Sequence, residues 1–368
     1  MLGVPCAAFC SHRIRGAEGE LCGSGSAQRL VMNGLIEGNE REKTMAAYFA
    51  SLNPTALWNA APGGLAQGLI WGIMALGVYL TFRVLNFADM TVDGSFALGG
   101  AVAVMLILQG YSPEVVLVFS FLAGVLAGFV TGILHTCLGI PDILAGILTQ
   151  ISLYSINLNI MGKANQAVPT GSVTLHFTSN VRYLGQTIAL TLVLDAVIIG
   201  VFYWFLGTEI GSAVRSTGIN QQMSRAQGIN TGKMKVLALA LGNGLVALAG
   251  GIVTEYQGFA DVKMGQGAIV IGLAAVIIGE VLGEALLGKR LDFILRLSFV
   301  VIGAVVYYFV YVFVLWLKFP ADDMKLLTAV VVAAFLAAPY LKAKRKSSFR
   351  ALARRNKSLA SEKQEGVN

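Results

Sequence analysis

Long apolar runs separated by short polar segments dominate the chain. From about residue 62 these runs are long enough to cross about 30 Å of hydrocarbon as helices. Nine spans are predicted, at 62–82, 93–110, 114–134, 142–162, 185–206, 236–256, 265–283, 293–316 and 323–341. The second is the weakest, because it is short and glycine-rich. The pattern predicts an all-α polytopic membrane protein with eight to ten transmembrane helices.

The composition supports this interpretation. Hydrophobic residues make up 56% of the 368 residues and charged residues only 13%, whereas a soluble domain carries about 25% charged residues. The net charge of +7 collects in loops and in the C-terminal tail. That distribution is typical of positive-inside topology rather than of nucleic-acid binding.

The two ends of the chain differ from its centre. Residues 1–44 are polar, charged and rich in Gly and Ser, without the layout of a signal peptide. We expect them to be disordered, or to be an extension upstream of a natural start at Met45. The transmembrane domain is then predicted at 45–341, followed by a basic tail at 342–368.

Lysine and arginine set the predicted orientation. The tail and the 207–235 loop are rich in both residues, so both are predicted to be cytoplasmic. The 163–184 loop carries only Lys163 and Arg182 and is predicted to lie outside, as is the N-terminus. The predicted location is therefore the cytoplasmic membrane.

Small residues recur every four positions in several spans. The stripes are Ser120/Gly124/Gly128/Gly132, Ser95/Gly99/Ala103, Ala268/Gly272 and Ala275/Gly279. Such stripes mark close helix–helix contact. Packing within the chain is the favoured interpretation, and a seam between two copies is the alternative for one of them.

A short motif occurs twice, as Phe87-Ala88-Asp89 and as Phe259-Ala260-Asp261. Aligned from there, Gly100, Ala103 and Val104 match Gly272, Ala275 and Val276. Five predicted helices separate the copies, so they should face opposite sides of the membrane. This is the pattern of an inverted repeat, which many transporters use to build a central path.

Polar side chains in or beside the apolar spans are the candidates for function, because burying them in lipid is costly. The candidates are Asn86, Asp89, Asp93, Gln150, Asn157 and Asn243. For each residue alone a structural interpretation is favoured, in which the amides bond neighbouring helices or the carboxylates lie at the membrane interface. As a set they indicate a polar path, and the seven-residue spacing of Gln150 and Asn157 places them on one helix face.

No metal, cofactor or nucleotide site is predicted. Three of the four cysteines lie in the first 22 residues, and the chain has three histidines. Residues 283–290 approach a phosphate-binding loop, but Arg290 stands where Ser or Thr must bind Mg²⁺ and no strand precedes it. We therefore expect that the chain is not an enzyme.

The most informative polar segment lies between Glu209 and Lys235. Its pattern predicts two short helices, ended by Gly218 and Gly228 at positive φ. Short helices along the membrane face suit the docking of a partner, with Arg215 as the expected charged contact. A plain connecting loop is the alternative.

This segment resembles the coupling loop of ABC-importer permeases in the branched-chain amino acid and ribose permease family. The matching residues are Gly211, Ala213, Arg215, Gly218, Asn220, Gly228, Ile229 and Asn230. Leu85-Asn86-Phe87-Ala88, with Gly94 and Gly99-Gly100, resembles the first conserved block of that family. Residues 86–94 look closest to uncharacterised or aromatic-amino-acid-type permeases, and the resemblance covers about 62–341.

The resemblance implies a larger machine. Two permease subunits, most simply a homodimer, would pair in the membrane. Two cytoplasmic ATPase subunits would dock on the coupling loops, and an external binding protein would deliver a small polar solute such as an amino acid. Two alternatives stay open: a self-sufficient ion- or proton-coupled transporter using Asp89 and Asp93, and a receptor or scaffold using the basic tail.

Overall fold

The computed structural model describes residues 54–168, 184–288 and 292–317, with a few single positions between 326 and 337. The helices are α1 (Pro54–Val78), α2 (Thr91–Leu108), α3 (Pro113–Thr136), α4 (Asp142–Met161), α5 (Leu184–Gly207), α6 (Glu209–Ile219), α7 (Gln221–Ala226), α8 (Thr231–Gln257), α9 (Ala268–Leu287) and α10 (Phe293–Trp316). Strands β1 (Asn165–Ala167) and β2 (Phe259–Asp261) pair antiparallel.

Within these ranges, eight helices are long and apolar enough to cross a membrane. They are α1 to α5 and α8 to α10, and α1 is extended by a π-helical turn over Tyr79–Val84. The all-α prediction is confirmed, although the short strand pair was not predicted. The predicted span 293–316 matches α10, whereas α1 and α8 begin earlier than predicted.

Three predictions fall on residues that are not described. The segments 1–44 and 342–368 lie wholly outside the described ranges, and the ninth span, 323–341, lies almost wholly outside them. These three predictions stay predictions.

Helix α8 lies at the centre of the packing, and glycine allows its neighbours to approach it. A Cβ at Gly124 or Gly128 of α3 would overlap the backbone carbonyl of Asn243 or Leu239 on α8. A Cβ at Gly99 of α2 would overlap the carbonyl oxygen of Ala247. The favoured interpretation of the small-residue stripes, packing within the chain, is therefore confirmed for α2 and α3.

Helix α2 runs in the same direction as α8. Ser95 lies beside Asn243, and further along both helices Gly100 lies beside Thr254. Because Asn243 is near the middle of α8, the first turn of α2 lies at mid-height of the bundle rather than at its end.

Helix α1 runs opposite to α8, since Gly77 lies against Gly242 while Gly63 approaches Tyr256. Helix α9 runs with α1: Gly272 contacts Val78, and further along, Glu280 pairs with Arg83. Helices α2 and α9 therefore run in opposite directions, as an inverted repeat requires.

The aligned positions of the repeat are nevertheless not equivalent in structure. Helix α2 begins at Thr91, directly after the Asp89 turn, while α9 begins at Ala268, well beyond the Asp261 turn. Both aspartates accept a hydrogen bond from the backbone N–H two residues later. The sequence match therefore corresponds to two similar aspartate turns, each followed by a helix, and the two helices run in opposite directions.

The main apolar core lies between α1, α8, α9 and α10. The ring of Trp71 on α1 lies 4.9 Å from that of Phe96 and 5.6 Å from that of Tyr308. Helices α4 and α5 instead expose large apolar side chains, among them Ile151 and Val197. In a membrane protein such a face contacts lipid or another subunit.

Candidate functional site

A short segment leads the chain from the end of α1 back into the bundle. After the π-helical turn, the N–H of Phe87 donates to the carbonyl of Thr81 at 3.0 Å. Asn86 has φ of 58°, a left-handed conformation that Asn tolerates better than most residues. Asn86 is exposed, whereas its neighbours Leu85 and Phe87 are buried. The reversal therefore places Asp89 inside the bundle.

Asp89 is buried in a hydrogen-bonded network. Its carboxylate accepts from the N–H of Thr91 at 2.9 Å and from Nδ2 of Asn243 at 2.6 Å. Oδ1 of Asn243 accepts from the hydroxyl of Ser95 at 2.7 Å, and its Nδ2 also donates to the Leu239 carbonyl. The network fixes the first turn of α2 against the middle of α8.

A row of threonine hydroxyls ties the same turn to two further helices. Thr91 and Thr131 share a hydrogen bond of 2.8 Å, and Thr131 donates to Thr149 at 3.0 Å. All three residues are buried. The start of α2 is thereby held by α3 and α4 as well as by α8.

Asp93, in the first turn of α2, reaches the first turn of α9. Its two carboxylate oxygens accept from the N–H of Gly267 at 3.0 Å and from the N–H of Ile269 at 2.9 Å. Backbone N–H groups at a helix start have no partner within the helix, so a carboxylate stabilises them. The two opposed helices therefore meet at Asp93.

A cavity of about 310 Å³ opens beside this meeting point. Its polar lining comes from Asp93 of α2, Gln150 and Asn157 of α4, and Gln266 just before α9. Tyr154 adds an aromatic face. The volume is at the lower end of small-molecule sites, which span about 300–1,000 Å³.

The structure divides the six predicted path residues into three groups. Asp93, Gln150 and Asn157 line the cavity, and the shared face predicted for the last two is found. Asp89 and Asn243 lie in the network behind it. Asn86 lies apart, at a second cavity of about 400 Å³ that Asp142 also lines.

Sequence inspection missed three residues. Tyr154 and Gln266 line the cavity, but an aromatic residue in an apolar span and a loop glutamine carry no distinguishing pattern. Asp195 did carry one, because it is an acidic residue in the centre of α5. It is buried, and neither carboxylate oxygen has a hydrogen-bond partner among the described residues.

The segment 209–230, called here the α6–α7 segment, contains two short helices as predicted. Thr208, Asn220 and Asn230 cap the starts of α6, α7 and α8, each accepting from a backbone N–H with its side-chain oxygen. Gly228 follows α7 with φ of 82°, as predicted. Asparagine is favoured at such caps for this bonding.

The prediction that Gly218 ends the first helix is wrong. Helix α6 continues to Ile219 and breaks at Asn220, whose backbone is extended. Gly218 is needed for space instead: a Cβ there would overlap the carbonyl oxygen of Val84. Helix α6 therefore lies directly against the turn that leads from α1 to Asp89.

Three other predicted residues of the α6–α7 segment, Gly211, Ala213 and Arg215, also lie on α6. Gly211 packs on the backbone of Leu206, and the Ala213 carbonyl accepts from the hydroxyl of Thr217 at 2.7 Å. Arg215 is exposed. It opens onto a cavity of about 510 Å³ that Trp204 and Phe293 also line.

A polar cluster lies at the same end of the bundle. Lys235 contacts Nε2 of His135 at 2.9 Å, and Nδ1 of His135 lies 3.1 Å from the Asp142 carboxylate. The imidazole also packs edge-on against Phe87, at 5.2 Å between ring centres. The cluster joins α3, α4 and α8 beneath the segment that carries Asp89.

Comparison with known proteins finds a family and relatives that are all described as transport permeases or are uncharacterized. The family model described as the permease component of the branched-chain amino acid transport system matches residues 61–345, which include the cavity and the α6–α7 segment. The tyrosine transport system permease protein of Clostridioides difficile is 38% identical over 273 residues, covering 74% of this chain and 89% of that protein.

More distant relatives match shorter stretches. The uncharacterized protein RP368 of Rickettsia prowazekii is 32% identical over 200 residues, 54% of this chain and 69% of that protein. The autoinducer 2 import system permease protein LsrC of Salmonella choleraesuis is 30% identical over 192 residues, 51% of this chain and 53% of that protein. No solved structure matches the chain.

Proposed function

Since the chain belongs to the family of branched-chain amino acid transport system permease components, we propose that it is the membrane subunit of an ATP-driven importer. The family assignment agrees with the resemblance of residues 85–100 and 211–230. ATP hydrolysis then resides in a separate cytoplasmic subunit, and an external binding protein delivers the solute.

The observation that carries the proposal is the contact between α6 and the turn at Val84. An ATPase docked on the α6–α7 segment would press on α6. Because Gly218 leaves no space against Val84, a shift of α6 toward Val84 would move the turn that leads to Asp89 and to the start of α2. The geometry thus links a docking face to the cavity through packed backbone, which deforms little.

Charge supports a cytoplasmic position for the α6–α7 end of the bundle. The described basic residues at that end are Arg83, Arg215, Arg225, Lys233, Lys235 and Arg296. The opposite end of the bundle, where β1 and β2 pair and which is called here the strand end, carries Lys163 and Lys263 among the described residues. Basic residues accumulate on the cytoplasmic side of membrane proteins, so the basic tail, after a ninth crossing, would also be cytoplasmic.

A second copy of the chain would cover α4. Ser155 and Asn159 are exposed on this helix, and the cavity opens beside it. Polar side chains facing lipid are costly. A homodimer that pairs the two α4 faces would remove them from lipid and enclose the cavities along a shared path.

The proposed solute is an amino acid or a related small polar compound. The cavity is lined by amide and carboxylate groups together with the apolar and aromatic side chains of Ile151 and Tyr154. Such a lining suits a molecule with a polar head and an apolar or aromatic side chain. The tyrosine transport name belongs to one relative and is consistent with this class.

Substitution of Gly218 tests the coupling. Gly218→Ala should leave membrane levels near normal and abolish solute-stimulated ATP hydrolysis by the reconstituted complex, because the new Cβ displaces α6 from Val84. Gly207→Ala is the matched control, since Gly207 is also helical and has nothing within 4 Å of a Cβ. Equal activity of the two variants would remove the proposed link.

Arg215→Glu tests docking more directly. Arginine bonds carboxylates and carbonyls with a planar fork, so charge reversal should weaken co-purification with the ATPase. Lys263→Glu, an exposed change at the strand end, should not. Uptake in vesicles that lack ATP, driven by a pH gradient alone, would instead establish a self-sufficient transporter.

Thiol labelling tests the orientation. In a chain whose own cysteines are replaced, Cys at Gln222 or Ser347 should resist an impermeant reagent in intact cells, and Cys at Ser172 should react. The reverse pattern would place the α6–α7 segment outside and exclude cytoplasmic docking.

A further inference from the structure

The cavity beside Asp93 has an unusual balance of hydrogen-bonding groups. Asn157 is only 1% exposed, and its Nδ2 donates to the carbonyl of Gly94 at 3.4 Å. Oδ1 of the same amide is a buried acceptor that has no hydrogen-bond partner among the described residues. A buried acceptor without a partner carries a desolvation cost that a ligand donor would relieve.

Asp93 is the second acceptor and the one charged residue among those that line the cavity. Each of its oxygens accepts one backbone N–H and keeps a further lone pair. The ion pairs of the described residues are Arg83–Glu280 and His135–Asp142, so no described cation neutralises Asp93. Asp93 and Asn157 therefore both line the cavity, and none of its described lining residues carries a positive charge.

The helix starts around the cavity do not offer a site for an anion. The N–H groups of Gly267 and Ile269 at the start of α9 already bond Asp93. The N–H of Thr91 at the start of α2 bonds Asp89. The positive ends of both helices are thus occupied by carboxylates of the chain itself. The groups of the cavity that can still take a hydrogen bond are acceptors, which suit a cationic donor.

We propose that this cavity recognises the protonated amino group of its solute, with the Asp93 carboxylate and Oδ1 of Asn157 as acceptors. A primary ammonium carries three donors and one positive charge, which match these two groups. The side-chain amides of Gln150 and Gln266 supply donors for a carboxylate, and Tyr154 faces the side chain. The proposal rests on the transport function above and names the group by which the solute is selected.

Binding to the full-length chain in lipid nanodiscs tests the proposal. The probes are radiolabelled L-tyrosine, L-leucine and L-glutamine, with tyramine and 3-(4-hydroxyphenyl)propionate as competitors of tyrosine. Tyramine keeps the amino group and should compete. The propionate keeps only the carboxylate and should compete at least about tenfold more weakly, the ratio expected from loss of one charge-assisted hydrogen bond.

Substitutions of Asn157 and Asp93 test whether amine binding depends on these two residues. Asn157→Leu keeps the side-chain size without the acceptor, and should weaken tyrosine and tyramine binding about tenfold. Its control is Gln109→Leu, which removes an exposed amide at the end of α2, away from the residues that line the cavity. Asp93→Asn should weaken amine binding further. Its control is Asp292→Asn, since Asp292 is exposed before α10 and its side chain makes no cap hydrogen bond. Should Asp93→Asn fail to fold, Asn157→Leu alone decides.

The outcomes separate this proposal from the transport function. Equal competition by tyramine and the propionate, or no binding of any of the three amino acids, overturns the ammonium site. ATP-driven uptake without amine selectivity would leave the importer standing and remove the site. Amine-selective binding without ATP-driven uptake by the reconstituted complex would keep the site and remove the importer.

Discussion

The surroundings of α8 and the outer faces of α4 and α5 use the same residue types to opposite effect. Glycines of α2 and α3 face α8 so closely that a Cβ would overlap its backbone carbonyls. Gly185 and Gly200 of α5 have nothing within 4 Å of a Cβ position. The glycine content of a span therefore does not reveal which helices are packed, because the same residue is structurally required in one region and replaceable in the other.

Asparagine residues also differ between the packed centre of the bundle and the outer face of α4. Asn243 on α8 is buried and bonded to Asp89, Ser95 and a carbonyl of its own helix. Asn159 on α4 is exposed. Buried amides of the first kind hold helices in place, and exposed ones are available to another molecule.

Substitution in the packed glycine stripe should have the largest effect. Gly124→Val places a branched side chain against the carbonyl of Asn243, so α3 must move away from α8. We expect a loss of roughly 3 kcal/mol in the free energy of unfolding, the upper end of overpacking costs. Thermal unfolding in detergent measures it, and a melting temperature equal to that of the parent chain contradicts the close packing.

Removal of the buried amide should come next. Asn243→Leu leaves Asp89 with an unpaired oxygen and Ser95 without its acceptor, at a cost of about 2–3 kcal/mol. Asn159→Leu, the matched change on α4, should shift stability by less than about 0.5 kcal/mol in detergent. Similar melting temperatures for the two variants would mean that the network contributes no stability.

Backbone strain should produce an intermediate effect. Gly228 has φ of 82° and open space around it, so an added Cβ meets strain but no clash. Gly228→Ala should destabilise the chain by about 1–2 kcal/mol. Differential scanning calorimetry can compare it with Gly218→Ala, which meets a clash without positive φ and should impair coupling more than stability.

The smallest effect should have the opposite sign. Gly200→Ala lies within α5 with nothing within 4 Å of its Cβ. Alanine stabilises a helix over glycine by roughly 0.5–1 kcal/mol, so the melting temperature should rise slightly. A clear destabilisation would show that α5 is covered by another subunit at this position.

Much of the fold could be predicted from the sequence. For seven of the eight described spans the predicted ends lie within five residues of the observed ones, whereas α1 begins eight residues before its predicted start. The agreement arises because about 20 consecutive apolar residues are required to cross a bilayer. The spacing of Gln150 and Asn157 gave a correct common face, because helical periodicity is a local property. The helix break assigned to Gly218 was wrong, since glycine serves both positive φ and close approach, and the chain gives no local sign of which applies.

Hydrophobicity, charge bias and motif are local properties of the chain, so they are enough to identify an all-α membrane permease with a short two-helix segment between two spans. The packing of the helices was needed to see that α2 begins at mid-height of the bundle. It was also needed to see that Asp93 bonds the start of α9 at Gly267, 174 residues further along the chain. The same packing leaves Oδ1 of Asn157 without a hydrogen-bond partner in the part of the chain that the structure describes. These features depend on how opposed helices pack, and no local pattern encodes a contact between distant segments.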